Sequence, residues 1–259
     1  MPYFVESAVR IPPSLRRGLS TPHLLLALDF DGTLARLRSE RGGVRLPARR
    51  RAALALLSRT PGVRVLVVSG RELEDLRRLC AGTRAALAGD HGLRLEGIGP
   101  HWRHPDLARW SRKASALAVS ARAVARAFPG VRVELKEASV AVHYRASPSV
   151  RRDPRSLRRA LEHMRLGAWR VAPGKCLWEL RPRRGWGKGE AVLLALKRLG
   201  PGWRAAFIGD DATDEEGFEV LGRRALTVRV GAGRTHARWR LPGIAGVDAL
   251  LASVLSERV

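Results

Sequence analysis

Apolar residues fall into short unbroken runs, and each run stops at polar or glycine-rich positions. "LLLALDF" leads into Asp31-Gly32-Thr33, "VRVLVV" into Ser69-Gly70-Arg71, "AALA" into Gly89-Asp90-His91-Gly92, and "AAFI" into Gly209-Asp210-Asp211. A fifth run, "LTVRV", stops at Gly231. Runs of this length and β-branched content predict strands buried on both faces. Helical periodicity occupies 47–58, 72–80, 187–199 and 214–221 between them. Alternating strands and helices predict an α/β fold, an open parallel sheet with helices on both faces. Ligands of such sheets sit outside the carboxyl ends of the strands, where the polar endings converge.

The middle of the chain, 96–180, has a different pattern. Helical stretches at 106–127 and 154–166 accompany strand-like stretches at 131–136, 139–145, 169–172 and 176–180. The short link between the first two strands predicts an antiparallel hairpin. Alternation puts Val131, Val133 and Leu135 on one side and Glu134 and Lys136 on the other. Val140, Val142 and Tyr144 likewise oppose His143 and Arg145, and Cys176, Trp178 and Leu180 oppose Lys175 and Glu179. One face suits packing helices; the other, rich in donors and acceptors, suits a polyhydroxylated ligand. The expected organisation is an N-terminal arm (1–22), a core formed by 23–95 and 181–259, and an inserted α+β domain at 96–180.

Composition narrows the function classes. The 259 residues carry 48 Lys+Arg against 24 Asp+Glu, a net charge of +24. Of the 48 cations 43 are arginine, spread through nearly every segment with no basic block interleaved with aromatics. That pattern reads as compositional habit on solvated helix faces and argues against a dedicated nucleic-acid binder. In such a chain a retained lysine marks a place that needs a compact ammonium. The five are Lys113, Lys136, Lys175, Lys188 and Lys197. No run approaches the ~18 apolar residues of a membrane span, and the N-terminus lacks the apolar core of a secretion signal. Two cysteines, Cys80 and Cys176, without metal-type spacing fit a reduced, cytoplasmic setting.

The chemistry lies in the strand endings. Asp29 and Asp31 stand two apart in "DFDGT", and Asp210, Asp211 and Asp214 form "GDDATD". An EF-hand loop is excluded, because its glycine belongs at the sixth position and here it is the fourth. If the sheet edge joins the two motifs, these carboxylates need a cation among them. A hard ion with oxygen ligands, Mg²⁺, meets that need and leaves positions for a phosphate. Ser69 after a strand and Lys188 opening a helix can contact that phosphate, and the helix N-terminus adds N–H groups. Carboxylate nucleophile, neighbouring acid, metal, hydroxyl and lysine together point to phosphoryl transfer through an aspartyl-phosphate.

These motifs resemble the haloacid-dehalogenase-like (HAD) phosphatases. "LDFDGTLA", "VVSGR", "GDHG", "VHYR", "GKCLWELRP" and "GDDATDEE" together resemble the trehalose-6-phosphate phosphatase family, from about Leu24 to Val230. The resemblance implies a Rossmannoid core and an inserted cap that closes over the site. It implies Asp29 as nucleophile and Asp31 as general acid and base. Mg²⁺ would sit on Asp29, the Asp31 backbone carbonyl and Asp210, supported by Asp214 and Asp211. Ser69 and Lys188 would hold the phosphoryl group. Arg71 and His91 would line the core side of the cleft as substrate contacts, with Asp90 beside them. Glu134, Lys136, Arg145, Lys175 and Glu179 would grip glucose hydroxyls, with His143 adjacent. The implied reaction is hydrolysis of trehalose 6-phosphate in trehalose biosynthesis, by a monomer that follows a synthase in its pathway, without nucleic acid or membrane. Another sugar phosphate, of the sucrose or mannosyl type, is the alternative substrate.

Overall fold

The computed structural model describes residues 9–36, 43–174, 176–183 and 185–258. Lys175 lies outside the described residues. The chain divides into two compact units, one of residues 1–102 and 187–259, the other of residues 103–186. The first crossing falls later than 96, because β4 (Arg94–Glu96) and β5 (Trp102–Arg103) continue the large sheet before the chain leaves it, and the second falls at 187 where 181 was expected.

The larger unit is built on β1 (His23–Asp29), β2 (Val63–Val68), β3 (Ala86–Gly89), β10 (Trp203–Gly209), β11 (Ala225–Val230) and β12 (Trp239–Leu241). With β4 and β5 they form an eight-stranded sheet in the order β12-β11-β10-β1-β2-β3-β4-β5. The pairings from β12 through to β3 are parallel, whereas β3 and β4 pair antiparallel. The sequence pattern missed β4, β5 and β12, which at two or three residues are too short to show a period. Successive β1 residues go to opposite faces, so Leu24, Leu26 and Leu28 join one core and Leu25 and Ala27 the other. α2 (Ala48–Leu57), α3 (Leu73–Leu79) and α9 (Ile244–Ser256) cover the first face. α7 (Lys188–Leu199) and α8 (Ala212–Leu221) cover the second.

Part of the segment expected as an N-terminal arm packs on the larger unit's core. Residues Pro13–Leu19 form α1, and Leu15 and Leu19, one helical turn apart, are fully buried in the first core. Pro13 at its first turn is pre-set for helix and lacks an N–H that would go unpaired.

The smaller unit has a four-stranded antiparallel sheet in the order β6-β7-β9-β8. Its strands are β6 (Arg132–Leu135), β7 (Val140–His143), β8 (Trp169–Gly174) and β9 (Leu177–Pro182). Three helices complete it: α4 (Leu107–Ala125), the short α5 (Pro148–Arg152) and α6 (Pro154–Glu162). Registers Val133↔Val142 and Val142↔Trp178 set one apolar face, and Glu134↔Ala141 and Ala141↔Glu179 set the polar one. α4 buries Leu107, Trp110, Ala114, Leu117, Ala118 and Ala121 at helical spacing against β6, β7 and β9. Asp153 caps α6 by accepting from the Arg155 N–H at 3.1 Å.

Candidate active site

Parallel pairing brings the strand endings together. Asp29, the last residue of β1, is level with Val68 of β2, so Ser69 follows at the same edge. On the other side Leu28 is level with Ile208 of β10, which puts Asp210 and Asp211 just beyond. Gly32 (φ +100°) lies where a Cβ would collide with the Asp210 carboxylate. Only glycine gives both that conformation and that approach. Thr33 donates from Oγ1 to Asp210 Oδ1 at 3.1 Å, a contact for which "DFDGT" gave the residue but not the role.

Lys188 reaches the same point from the start of α7. A close approach of α7 to α8 sets its position, for a Cβ on Gly189 would lie 3.0 Å from the Gly217 Cα. Lys188 Nζ donates to Asp29 Oδ1 at 2.7 Å and to Asp214 Oδ1 at 2.8 Å, and lies 3.7 Å from Asp211 Oδ1. Lys188, Asp29 and Asp214 are all buried. Asp214 Oδ2 accepts from the Asp210 and Asp211 N–H groups at 2.9 and 3.0 Å. Both its oxygens are therefore occupied in holding Lys188 and the turn. Asp211 is the N-cap of α8, accepting at Oδ1 from the Thr213 and Asp214 N–H groups.

Oxygens of Asp29, Asp210 and Asp214 lie within 4.8 Å of one another. Asp29 Oδ2 is buried without a hydrogen-bond partner. An unsatisfied carboxylate oxygen beside the oxygens of further carboxylates fits a hard divalent cation. Asp211 and the Asp31 side chain stand outside this carboxylate cluster. Burial pushes the Asp29 carboxyl well up, aided by Asp211 and Asp210, although Lys188 opposes the shift. Burial, Asp214 and Asp211 push Asp210 up to about 7. Burial also opposes ionisation at Asp211, but Lys188 and hydrogen bonds from Asp214 and Thr213 outweigh it and hold that carboxyl well down. At Lys188 burial disfavours the charge, and the three surrounding carboxylates reverse the sign and hold the ammonium charged.

Arg71 forms the other half of the site. Its Nε and Nη2 donate to the two Asp31 oxygens at 2.6 and 2.8 Å, and its Nη1 donates to Asp75 at 2.8 Å. This buried guanidinium is a fork on Asp31; Asp75, on α3, was not singled out from the sequence. Ser69 Oγ accepts from the Arg71 N–H at 3.2 Å. The "GDHG" turn is zipped to the same loop, as Asp90 N–H donates to Arg71 O and His91 N–H to Ser69 O. Asp90 and His91 both have positive φ, at 53° and 57°, and the His91 ring lies against Gly70. Two consecutive non-glycine residues in that region are unusual and mark a turn held by its surroundings.

In the smaller unit, Lys136 Nζ donates to Glu179 Oε1 at 2.7 Å, and Ser139 Oγ donates to the same oxygen at 2.9 Å. Lys136 and Glu179 are both buried. His143 Nε2 and Glu134 Oε2 are 2.7 Å apart on the same polar face. Arg145, past the end of β7, is exposed.

A sequence model described as trehalose-phosphatase matches residues 27–242. The trehalose-6-phosphate phosphatase of Escherichia coli (strain K12) is 33% identical over 228 residues, covering 85% of this chain and 82% of that protein. The trehalose-phosphate phosphatase of Mycolicibacterium paratuberculosis (strain ATCC BAA-968 / K-10) is 36% identical over 218 residues. That match covers 79% of this chain but 53% of the relative, so the chain spans about half of that protein's length. The C-terminal domain of C. albicans trehalose-6-phosphate phosphatase superposes with a TM-score of 0.80 at 20% identity, covering 97% of this chain and 99% of that one. A trehalose-6-phosphate phosphatase related protein gives a TM-score of 0.68 at 25% identity, covering 90% and 98%. With a family match across most of its length and a HAD-like Rossmannoid fold, this chain belongs to the trehalose-phosphatase family and is a phosphoric monoester hydrolase.

Proposed function

We propose that the chain hydrolyses trehalose 6-phosphate to trehalose and phosphate, with Mg²⁺, through a phospho-aspartate on Asp29. The observation that carries this reading is the state of the Asp29 carboxylate. One oxygen is held by Lys188, while the other is buried, unpartnered and beside Asp210. Asp29, Asp210 and the Asp31 carbonyl would hold Mg²⁺, with Asp214 and Asp211 as support. Bound there, the ion balances the clustered carboxylates and the charge on the transferring phosphoryl group.

The protein's own groups then account for each bond. An Asp29 oxygen attacks phosphorus as the bond from phosphorus to the sugar oxygen breaks, and Asp31 gives its proton to that oxygen. Asp31 next takes a proton from water; the water oxygen attacks phosphorus, the Asp29–phosphorus bond breaks, and phosphate leaves. Lys188 and the Ser69 hydroxyl neutralise and orient the phosphoryl oxygens. In the structure the Arg71 fork occupies both Asp31 oxygens. One of them must leave the fork to carry the proton, while the other stays on Arg71, which fixes the direction of Asp31 in place of the substrate contact expected for Arg71. Asp90 and His91 shape the adjoining turn. Glu134, Lys136, His143, Arg145 and Glu179 supply contacts to sugar hydroxyls, and Lys175 joins this set on its sequence position. The setting is cytoplasmic, downstream of a synthase; among the described residues no helix is long and apolar enough to cross a membrane.

The test is phosphate release across trehalose, sucrose, mannose and glucose phosphates, with and without Mg²⁺. Release fastest from trehalose 6-phosphate, dependent on Mg²⁺ and abolished in Asp29→Asn, is expected. An Asp29→Asn variant as active as the parent would remove the nucleophile assignment. Preference for another sugar phosphate would replace the substrate.

A further inference from the structure

The smaller unit holds a groove of about 660 Å³ on its helical side. Arg109 and Lys113, one turn apart on α4, form one wall. Arg183, just past β9, forms another, and Trp110, Leu166 and Trp169 contribute its apolar lining. Trp169 pairs with Pro182, two residues along each strand from the pair Val171↔Leu180, and so shares the face of Leu180 and Trp178. The groove is therefore across the sheet from Lys136 and Glu179, on a face that the proposed reaction does not use.

Three features separate this groove from an ordinary solvated face. First, the unit that holds it carries more than half of the chain's net charge. Residues 103–186 hold 20 Lys+Arg against 6 Asp+Glu, a net +14 of the total +24, in about a third of the chain. Second, no carboxylate is among the described residues that line it. Among the described residues Arg109 has Asp106 as its one ion-pair partner, at 3.7 Å, and Lys113 Nζ donates to the Arg165 carbonyl at 3.3 Å. Third, Lys113 is one of only five lysines in the chain.

The floor is rigid. Trp110 and Trp169 are largely buried. His104 stacks on Trp110 with centroids 4.4 Å apart, and meets Trp186 edge-on at 5.3 Å. The Arg183 N–H donates to Ala168 O at 2.8 Å, which fixes the far wall.

We propose that this groove binds a small organic phosphate with at least two negative charges, distinct from the substrate of the hydrolytic site. Among the described residues only Arg109 of these three cations has a carboxylate near it, Asp106 at 3.7 Å and outside the lining, which favours an occupant with more than one negative charge. Guanidinium forks match phosphate oxygens, and a lysine serves as a point charge between them. The volume lies within the range of small-molecule sites, and the apolar lining accommodates an organic body. A bare inorganic anion would use the cations alone.

The test uses the full chain with ATP and inorganic tripolyphosphate as probes, read by tryptophan fluorescence and calorimetry at low and high salt. ATP is expected to bind saturably, about tenfold or more tighter than tripolyphosphate, and more weakly as salt screens the charges. Lys113→Ala and Arg183→Ala, both outside the hydrolytic machinery, are expected to weaken ATP binding about tenfold each with unchanged phosphatase turnover. Lys113→Arg should restore most of the affinity. Absence of saturable binding, equal affinity for the two probes, or binding undiminished in both alanine variants would each overturn the proposal. Binding lost in Asp29→Asn but retained in the groove variants would assign the anion to the hydrolytic site and overturn it as well.

Discussion

Lys188 and Asp29, 159 positions apart, share a buried hydrogen bond of 2.7 Å that ties the start of α7 to the end of β1. The same ammonium holds Asp214, so one cation serves two buried carboxylates. Removing it in Lys188→Met leaves both uncompensated, a loss of the kind that costs about 3–5 kcal/mol. Equilibrium unfolding is expected to show that loss at pH 8. Asp29 is held above its ordinary range by burial, and without Lys188 that shift grows. A carboxyl with a raised folded-state pKa favours folding while protonated, and that contribution is lost as pH rises. The variant's deficit should therefore be smaller at pH 5 than at pH 8. An equal deficit at both would contradict the assignment.

Much of this site was legible because its parts lie on elements with strong signals. β1, β2 and β10 are unbroken apolar runs, so their endings could be placed at one edge before any contact was known. The contacts of Arg71 were not legible. Its partner Asp31 is 40 positions away, and the pairing depends on how β1 and β2 align. α1 was hidden by the basic "SLRRGL", whose two buried leucines are too few for a periodic signal. Lys113 looked like an ordinary helix lysine, since the groove beside it is closed by residues more than fifty positions later.

Asp210 governs how the cation binds with pH. Burial and the neighbouring Asp214 and Asp211 push its carboxyl up to about 7 in the metal-free protein. Below that pH a proton occupies a ligand oxygen and must leave before Mg²⁺ binds. Calorimetric affinity for Mg²⁺ is expected to rise about tenfold between pH 6 and pH 8, with proton release on binding at the lower pH. Constant affinity over that range would show that Asp210 is not a ligand.

Gly32→Ala tests the approach of the two acidic motifs. The added Cβ meets the Asp210 carboxylate, and the positive φ disfavours any side chain. Mg²⁺ affinity should fall at least about tenfold even where the variant remains folded by circular dichroism, since the displaced group is a proposed ligand. Preserved affinity would mean that Asp210 can withdraw without cost to the site.

Arg71 and Asp75 test positioning apart from binding. Asp75→Asn weakens one of three bonds to the guanidinium and leaves the Asp31 fork in place, so a fall in kcat of about tenfold at unchanged KM is expected. Arg71→Lys replaces the two-pronged contact with a single point charge. A misdirected Asp31 should then lower kcat by about a hundredfold. A rise in KM alone would restore Arg71 to the substrate contact that the sequence suggested.

Glu179 separates sugar recognition from phosphoryl chemistry. Its Oε1 accepts from Lys136 and Ser139 on the polar face of the smaller unit, whereas Asp29 and Asp31, assigned to bond making, belong to the larger one. Glu179→Gln keeps the shape and one acceptor but removes the charge that compensates buried Lys136. If this face grips glucose hydroxyls, kcat/KM for trehalose 6-phosphate should fall about a hundredfold, by loss of charge-assisted hydrogen bonds. A small aryl phosphate without hydroxyls has nothing to lose there and should be turned over within about twofold of the parent rate. Parallel loss on both substrates would mean that the variant has disturbed the fold or the reacting groups, and the polar face would lose its place in recognition.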